Sequence, residues 1–486
     1  MINKNFTSKP GDKVISLPRK TELNPVTHHI NTRKLPTRGP ASPMILIYGF
    51  LILDLIGTLL LMMPFSTVQN ADTNIITALF TSTSAITVTG LTVVDTSVHW
   101  SIFGQVVIIL LCFIGGLGFM TGTAFIIMIT GQKLMLHNRL LVRDGLGWGN
   151  IGSITTMVRN TVIIAVVLQI IGIMILFSKW YFIEKLWDGI TWIEALWQSI
   201  FLGISAYNNA GFDIVPDQLG GPSLWLFSTD PIVVVILSVL ILFGGIGYLP
   251  LHDLAVKRRF TKLQLETKII FIFSAVLIII GAGVFFTTEG SNPATLGNKN
   301  ISEKLTVSIF QSISTRTAGF EMVDHSNIKT GSILSSTVLM IIGGASASTA
   351  GGIKINTFAI IVLAALSSLT GKKVVTAFKR QIPFDNVLGA IGITSLTFFA
   401  LLFLGIFLLR IEPNLPFEKV VFEIVSAFGT NGLSSGITTE FKSWSRFILI
   451  FAMFVGRFGP LTLVLLLAGR VKQPSYANSE ERVRIG

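Results

Sequence analysis

SAITVTGL, Ser84 to Leu91, is a small, polar run placed between two apolar segments each long enough to cross a bilayer. Three other stretches vary the same theme: SAYNNAGF (Ser205–Phe212), STRTAGF (Ser314–Phe320) and SAFGTNGL (Ser426–Leu433). Each places a glycine, followed by Leu or Phe, at its end: Gly90, Gly211, Gly319 and Gly432, spaced 121, 108 and 113 residues apart. The third copy is one residue shorter before its glycine. A second echo follows each of them: FIGGLGF (Phe113–Phe119), FGGIGY (Phe243–Tyr248), IGGAS (Ile342–Ser346) and FVGRFG (Phe454–Gly459). Two motifs recurring four times in one order make the chain a fourfold internal repeat.

Composition supplies the solvent. Of 486 residues, 51% are hydrophobic and 13% charged, against about a quarter charged in soluble domains. Uncharged runs such as Ser101–Thr130 and Gly389–Leu409 meet the length of about 20 residues that a spanning helix needs. The first 43 residues are polar and basic, without the apolar core of a secretory signal. Cys112 is the lone cysteine, and the six histidines show no ligand spacing. These facts exclude an internal disulfide and leave no metal or nucleophile constellation for an intramembrane enzyme.

The apolar segments come in pairs, each bracketing a shorter amphipathic piece. The expected class is an all-α integral membrane protein with eight transmembrane helices and four re-entrant pore helices around one central pore. The boundaries are a basic tail (1–42), repeat 1 (43–130), repeat 2 (160–256), repeat 3 (266–366), repeat 4 (389–470) and a C-terminal tail (471–486). With both termini cytoplasmic, the inner segments hold 24 Lys/Arg against 8 Asp/Glu, and the outer ones 10 against 16. That asymmetry satisfies the positive-inside rule. It assigns the net charge of +12 to topology instead of nucleic acid.

Non-helical backbone at membrane depth must be buried in protein or line a watery cavity. Four such segments around one axis can present rings of carbonyls that replace the water shell of a potassium ion. A glycine there reaches positive φ without steric cost. The candidate filter is therefore Val88-Thr89-Gly90, Asn209-Ala210-Gly211, Thr317-Ala318-Gly319 and Thr430-Asn431-Gly432, with K+ as the bound ion. A single glycine of this kind is more often a loop or packing residue; four in register are not. The short helices aim their partly negative C-termini at the same place, and outer acids would concentrate cations at the mouth.

With ALFTSTSAITVTGLTVVDT, NNAGFD, STRTAGF and GTNGLS on the page, the chain resembles the Trk/Ktr/HKT superfamily of cation transporters, most closely its bacterial Ktr branch, from Pro43 onward. The resemblance implies homodimeric, sodium-dependent potassium uptake at the bacterial plasma membrane. It also implies a cytoplasmic KtrA-like, RCK-type regulatory ring that carries ATP or ADP on the partner, not on this chain. In that superfamily a serine at the first filter position accompanies sodium transport, so Gly90 favours potassium. Exchanging Gly90 for serine is expected to spare folding while letting sodium compete. The alternatives are a sodium or other monovalent cation transporter of the same fold, and a carrier with broken helices. The carrier would need repeats of alternating orientation.

Two further features stand apart. Ten of the twelve residues from Gly343 to Lys354 are Gly, Ala, Ser or Thr, a composition that disfavours regular helix. This predicts an unwound gating loop of Gly343, Gly344, Ala345, Ser346, Ala347, Ser348, Thr349, Ala350, Gly351 and Gly352, although small residues also suit tight helix packing. Arg457 interrupts an apolar helix where the other copies carry a second glycine. A charge there is expected to face the pore below the filter and to hold the loop. Asp54 is a second intramembrane charge, expected to meet a hydroxyl, a base or another subunit, and to lie outside the pore.

Overall fold

The computed structural model describes residues 44–68, 73–118, 154–183, 190–215, 223–346, 348–372 and 374–459. Both tails, the segment 119–153 and Ala347 lie outside the described residues. Among the described residues the regular structure is helical, apart from one two-stranded hairpin. Repeat 1 runs α1 (Met44–Leu61), α2 (Ile75–Ile86) and α3 (Ile102–Leu117). Repeat 2 runs α4 (Ile154–Ser178), α5 (Trp192–Asn208), α6 (Pro231–Ile246) and α7 (Tyr248–Lys257). Repeat 3 runs α8 (Leu265–Glu289), α9 (Ile301–Ser314), α10 (Thr330–Ile341) and α11 (Ile355–Leu369). The hairpin of β1 (Thr376–Ala377) and β2 (Arg380–Gln381) follows. Repeat 4 runs α12 (Phe384–Ile411), α13 (Phe417–Gly429) and α14 (Ser443–Phe458).

Local chemistry sets the helix starts. Asn74 accepts from Ile76 N at 3.0 Å, and Asp230 accepts from Ile232 N at 2.9 Å ahead of Pro231. Thr191 and Glu194 form a capping box on α5. These side chains satisfy amide groups that a helix leaves unpaired at its first turn. The opening helices α4, α8 and α12 are 25, 25 and 28 residues long. They leave rows of large apolar side chains uncovered, including Ile279 at 71% and Phe399 at 65% exposure. Acyl chains are the natural cover for such faces.

The closing helices are shorter than the sequence suggested, and glycine is the reason. Pro231–Leu251 reads as one span, yet the chain turns by 96° between α6 and α7. Gly247 sits at the bend with φ +77, and Gly118 and Gly459 end α3 and α14 with φ +76 and +79. One turn earlier, the first glycine of the echo motif in repeats 1, 2 and 4 permits a close approach to a pore helix. A Cβ on Gly115, Gly244 or Gly456 would collide with the carbonyl oxygen of Ile86, Tyr207 or Phe428.

Packing closes the repeats into a ring. Each short helix packs on the opening helix of its own repeat, all but α9 pack also on their own closing helix, and each packs on the closing helix of the preceding repeat: α5 on α3, α9 on α6, α13 on α10 and α2 on α14. At one end of the bundle, the C-terminal end of each opening helix, or the turn that follows it, is tied to the start of its closing helix. In repeat 3 the buried Glu289 accepts from Lys329 N (2.9 Å), Ser332 Oγ (2.5 Å), Thr295 Oγ1 (2.7 Å) and Asn292 Nδ2 (2.7 Å). Glu412 repeats this in repeat 4, accepting from Lys442 N and Ser445 Oγ. Repeat 2 uses Lys179 against Asp230 at 3.0 Å, and repeat 1 uses Ser101 bonded to Phe65 O and Ser66 O.

Glu289→Ala strands four donors. The expected cost is about 2–4 kcal/mol, read as a lower melting temperature of purified protein, whereas substituting the exposed Glu440 should stay within about 0.5 kcal/mol. Equal melting of the two variants would remove Glu289 from the frame.

Candidate functional site: a ring of four backbones

The four signature glycines meet at one level. A Cβ built on Gly90 would strike Ala210 O, one on Gly211 would lie against Ala318 O, one on Gly319 would strike Asn431 O, and one on Gly432 would strike Thr89 O. The sequence of contacts closes on itself, so repeats 1 to 4 follow one another around a single axis. Four carbonyl oxygens, from Thr89, Ala210, Ala318 and Asn431, thus sit in one ring.

Backbone torsions repeat with the ring. Gly90, Gly211, Gly319 and Gly432 all have positive φ (+92, +70, +74 and +96), and so do Val88, Asn209, Thr317 and Thr430 two residues earlier (58, 57, 85 and 48). Non-glycine residues rarely occupy that region, and four doing so at one position is strain held in place by the surrounding structure. The intervening residue keeps negative φ, so successive carbonyls are brought toward the same side.

The serine that opens each motif does the holding. Ser84 O accepts from Thr89 N at 2.8 Å, Ser205 O from Ala210 N at 2.8 Å, Ser314 O from Ala318 N at 2.9 Å and Ser426 O from Asn431 N at 2.9 Å. Ser84 Oγ and Ser426 Oγ also accept from the amides of Gly90 and Gly432. Asn431 Nδ2 donates to Ser314 O at 3.0 Å, tying repeat 4 to repeat 3. These serines recur in the sequence but their role was not read from it.

Outside the ring lies a cavity of about 320 Å³ whose floor is the four glycines. Asp95, Asp213 and Glu321 contribute to its wall, a concentration of negative charge that draws cations. Glu321 also accepts from Ser434 N at 3.0 Å. Behind it the buried His325 has Nδ1 3.0 Å from Val323 O and 3.7 Å from Glu321 Oε2, its Nε2 2.7 Å from the Gln311 amide and its ring against Phe422. Burial opposes its protonation, yet the charges of Glu321 and Asp324 and the Val323 carbonyl prevail and hold its pKa above the ordinary value.

On the other side of the ring lies the small-residue loop. Its neck is closed by Gly343 N donating to Ile353 O (2.8 Å) and Ile355 N donating to Gly344 O (3.0 Å). Its body reaches repeat 2, where Ala345 N donates to Gly245 O at 2.9 Å and Thr349 N to Gly244 O at 3.3 Å. A Cβ on Gly351 would strike the Thr430 side chain, and one on Gly343 would contact Thr317. The loop therefore lies directly beneath the ring. Arg457 donates to Thr349 O in the loop and to Gly115 O at the end of α3.

Two charges went unread in the sequence. Lys354 donates back to Ala350 O, and it was visible as the one charged residue in the run. Arg316, beside Thr317, is buried and turned away from the ring, its Nη1 3.2 Å from Ser274 O. Asp54 accepts from Thr83 Oγ1 at 3.0 Å, a hydroxyl partner away from the ring.

The geometry revises one expectation. A serine at position 90 would put its Cβ on Ala210 O and Gly211 Cα, so the exchange moves the ring backbone instead of sparing it. Gly432→Ala, aimed at Thr89 O, should lower rubidium uptake at least about tenfold, about 1.4 kcal/mol, with normal membrane insertion. Unchanged uptake would take this residue out of the ion path.

His325 gives a pH dependence. Its raised folded pKa means that its stabilisation is fully present below about 6.5, the ordinary histidine value, and is lost as pH rises through the raised value. Melting temperature should fall on alkalinisation across that window, and His325→Gln should flatten the curve. An unaltered curve would exclude the ring as its source.

Comparison with known proteins places the chain. Its structure is similar to the crystal structure of the potassium transporter TrkH from Vibrio parahaemolyticus (TM-score 0.69, 16% identity, 90% of this chain and 86% of that one). It is 41% identical over 426 residues to the Ktr system potassium uptake protein B of Bacillus subtilis, covering 88% of this chain and 93% of that protein. It is 34% identical to the potassium/sodium uptake protein NtpJ of Enterococcus hirae, covering 93% of this chain and 99% of the relative. The TrkH family profile, described as a cation transport protein, matches residues 23–480. A multi-pass helical chain with this coverage, and with its four glycines on one axis, belongs to the TrkH family of cation transport proteins.

Proposed function

We propose that the chain is the ion-translocating subunit of a Ktr-type potassium uptake system in a bacterial plasma membrane. The observation that carries this reading is the closed ring of backbone contacts among Gly90, Gly211, Gly319 and Gly432. Carbonyls in such a ring supply the oxygen shell that a potassium ion gives up on leaving water. The cavity with Asp95, Asp213 and Glu321 supplies the cation from the outer side. The ring is the filter, K+ its ligand, and glycine in all four copies favours K+ over Na+.

In this reading the loop from Gly343 to Gly352 is the gate. It lies under Thr317 and Thr430 and is held by Arg457. The second Arg457 bond, to Gly115 O, pins the gate to repeat 1 as well. Opening exchanges these bonds for others, so the gate is a two-state element that a partner can bias. That partner is a KtrA-type cytoplasmic ring, supported by the Ktr system named in the Bacillus relative. ATP or ADP resides on the ring, the subunit itself pairs as a homodimer, and both termini are cytoplasmic. The inner loops supply the basic charge that the orientation requires. Sodium dependence finds support in the potassium/sodium name of the Enterococcus relative.

Expression in cells lacking their own potassium uptake should restore growth at low potassium and rubidium influx. A correctly inserted protein that moves neither ion would sink the proposal. Sodium that competes with rubidium as strongly as potassium does would shift it to a sodium pathway of the same fold.

Arg457→Gln removes both bonds that hold the loop. Without the regulatory partner, the variant should pass rubidium several-fold faster than the parent protein. A slower variant, still folded by its melting curve, would mean that Arg457 does not restrain a gate.

A further inference from the structure

At the end of the molecule where α8 begins, two short segments come together. One is the turn Phe260–Lys262 between α7 and α8. The other is the tip of the β1–β2 hairpin that leads to α12. Phe260 and Phe378 approach edge-to-face at 6.4 Å, and the Lys268 ammonium lies 5.8 and 5.7 Å from their ring centroids. Lys268 also donates to Thr261 O at 2.9 Å. The pair of segments is thus a built unit, clamped from inside by one lysine. Asp253 reinforces it by accepting from Gln264 N at 2.8 Å while paired with Lys257 at 2.6 Å.

The hairpin tip is strained. Phe378 and Lys379 have φ of +51 and +63, a pair of left-handed positions normally filled by Asn-Gly or Gly-Gly. An aromatic and a lysine held there against preference suggest that the tip serves something besides turning the chain. Around it Arg258, Arg259, Lys262, Lys379 and Arg380 are all exposed. None of the five meets a carboxylate among the described residues. Of the nearby acids, Asp253 is already paired and Glu266 accepts from Asn356 Nδ2 at 2.7 Å; Asp385 is the other, in the first turn of α12.

We propose that this aromatic and basic cluster is a binding site for the headgroup of an anionic phospholipid. The apolar surroundings decide between a lipid and a soluble acidic protein. Phe260 and Phe378 are 47% exposed, Phe384 at the start of α12 is 70% exposed, and Leu369 at the end of α11 is 84% exposed. Lys268 stands one residue before the apolar run of α8. The cluster therefore sits where membrane helices emerge, and its uncovered apolar side chains match the acyl boundary beneath a phosphate layer. Basic clusters of about four to eight residues beside a membrane helix recognise anionic lipid in this way. A lipid seated here touches both the segment entering α8 and the one entering α12, on the two sides of repeat 3.

The test compares full-length protein in nanodiscs of phosphatidylcholine alone and of phosphatidylcholine with phosphatidylglycerol. Melting temperature and phosphatidylglycerol retained per protein by mass spectrometry are the readouts. The parent protein should melt higher in the anionic discs, by a margin that shrinks with salt. Arg259→Gln combined with Arg380→Gln should retain several-fold less phosphatidylglycerol and melt as the parent does in phosphatidylcholine. Phe378→Ser, which keeps the charges, should lose part of the shift. Full retention by both variants overturns the proposal. Inorganic phosphate reproducing the shift in phosphatidylcholine discs would replace the lipid by a soluble anion. Loss of a soluble acidic partner with lipid retention unchanged would make the cluster a protein-docking face, and either result would also overturn it.

Discussion

Everything in this fold depends on four backbones approaching one axis so closely that no side chain fits between them. Each ring glycine carries the preceding residue's carbonyl from the next repeat where its own Cβ would stand. Such contacts cannot be supplied by burial alone. They need positive φ at two positions per repeat, and at the first of these the chain tolerates Val, Asn and Thr. The cost of that strain is met by hydrogen bonds that the serine carbonyls accept from the ring amides and by dense packing around the short helices.

The same demand explains the closing helices. To bring a pore helix near the axis, a carbonyl in its last turn must lie against a helix from the same repeat, and Gly115, Gly244 and Gly456 leave room for it. The residue after each of these differs between repeats, although at Gly116 a Cβ would strike the Asn208 side chain. In repeats 1 and 2 it is glycine; in repeat 4 it is Arg457, which reaches the loop of repeat 3 and the end of α3. Repeat 3 gives up regular helix altogether from Ile342 to Lys354. Four repeats with one topology have thus diverged at one level, which breaks the symmetry of the frame beneath the ring.

Much of this was legible because repetition amplifies weak signals. A single Thr-Gly means little, whereas Gly90, Gly211, Gly319 and Gly432 in register fix an axis. The small-residue run before Lys354 announced broken helix through composition alone. What stayed hidden depends on contacts between distant segments. Glu289 and Glu412 read as loop acids, although the spacing Lys-x-x-Ser in KTGS and KSWS marks both receiving helices. The bend at Gly247 escaped because Pro231–Leu251 is apolar from end to end, and hydropathy does not register a φ of +77. Serine at position 90 looked harmless until the neighbouring carbonyl of Ala210 was in place.

The most direct measurement is anomalous scattering from crystals of the protein soaked in rubidium. The account predicts a peak on the axis, within coordination distance of the carbonyls of Thr89, Ala210, Ala318 and Asn431, and its loss when potassium is restored in excess. A rubidium peak confined to the carboxylates of Asp95, Asp213 and Glu321, with none at the ring, would contradict it.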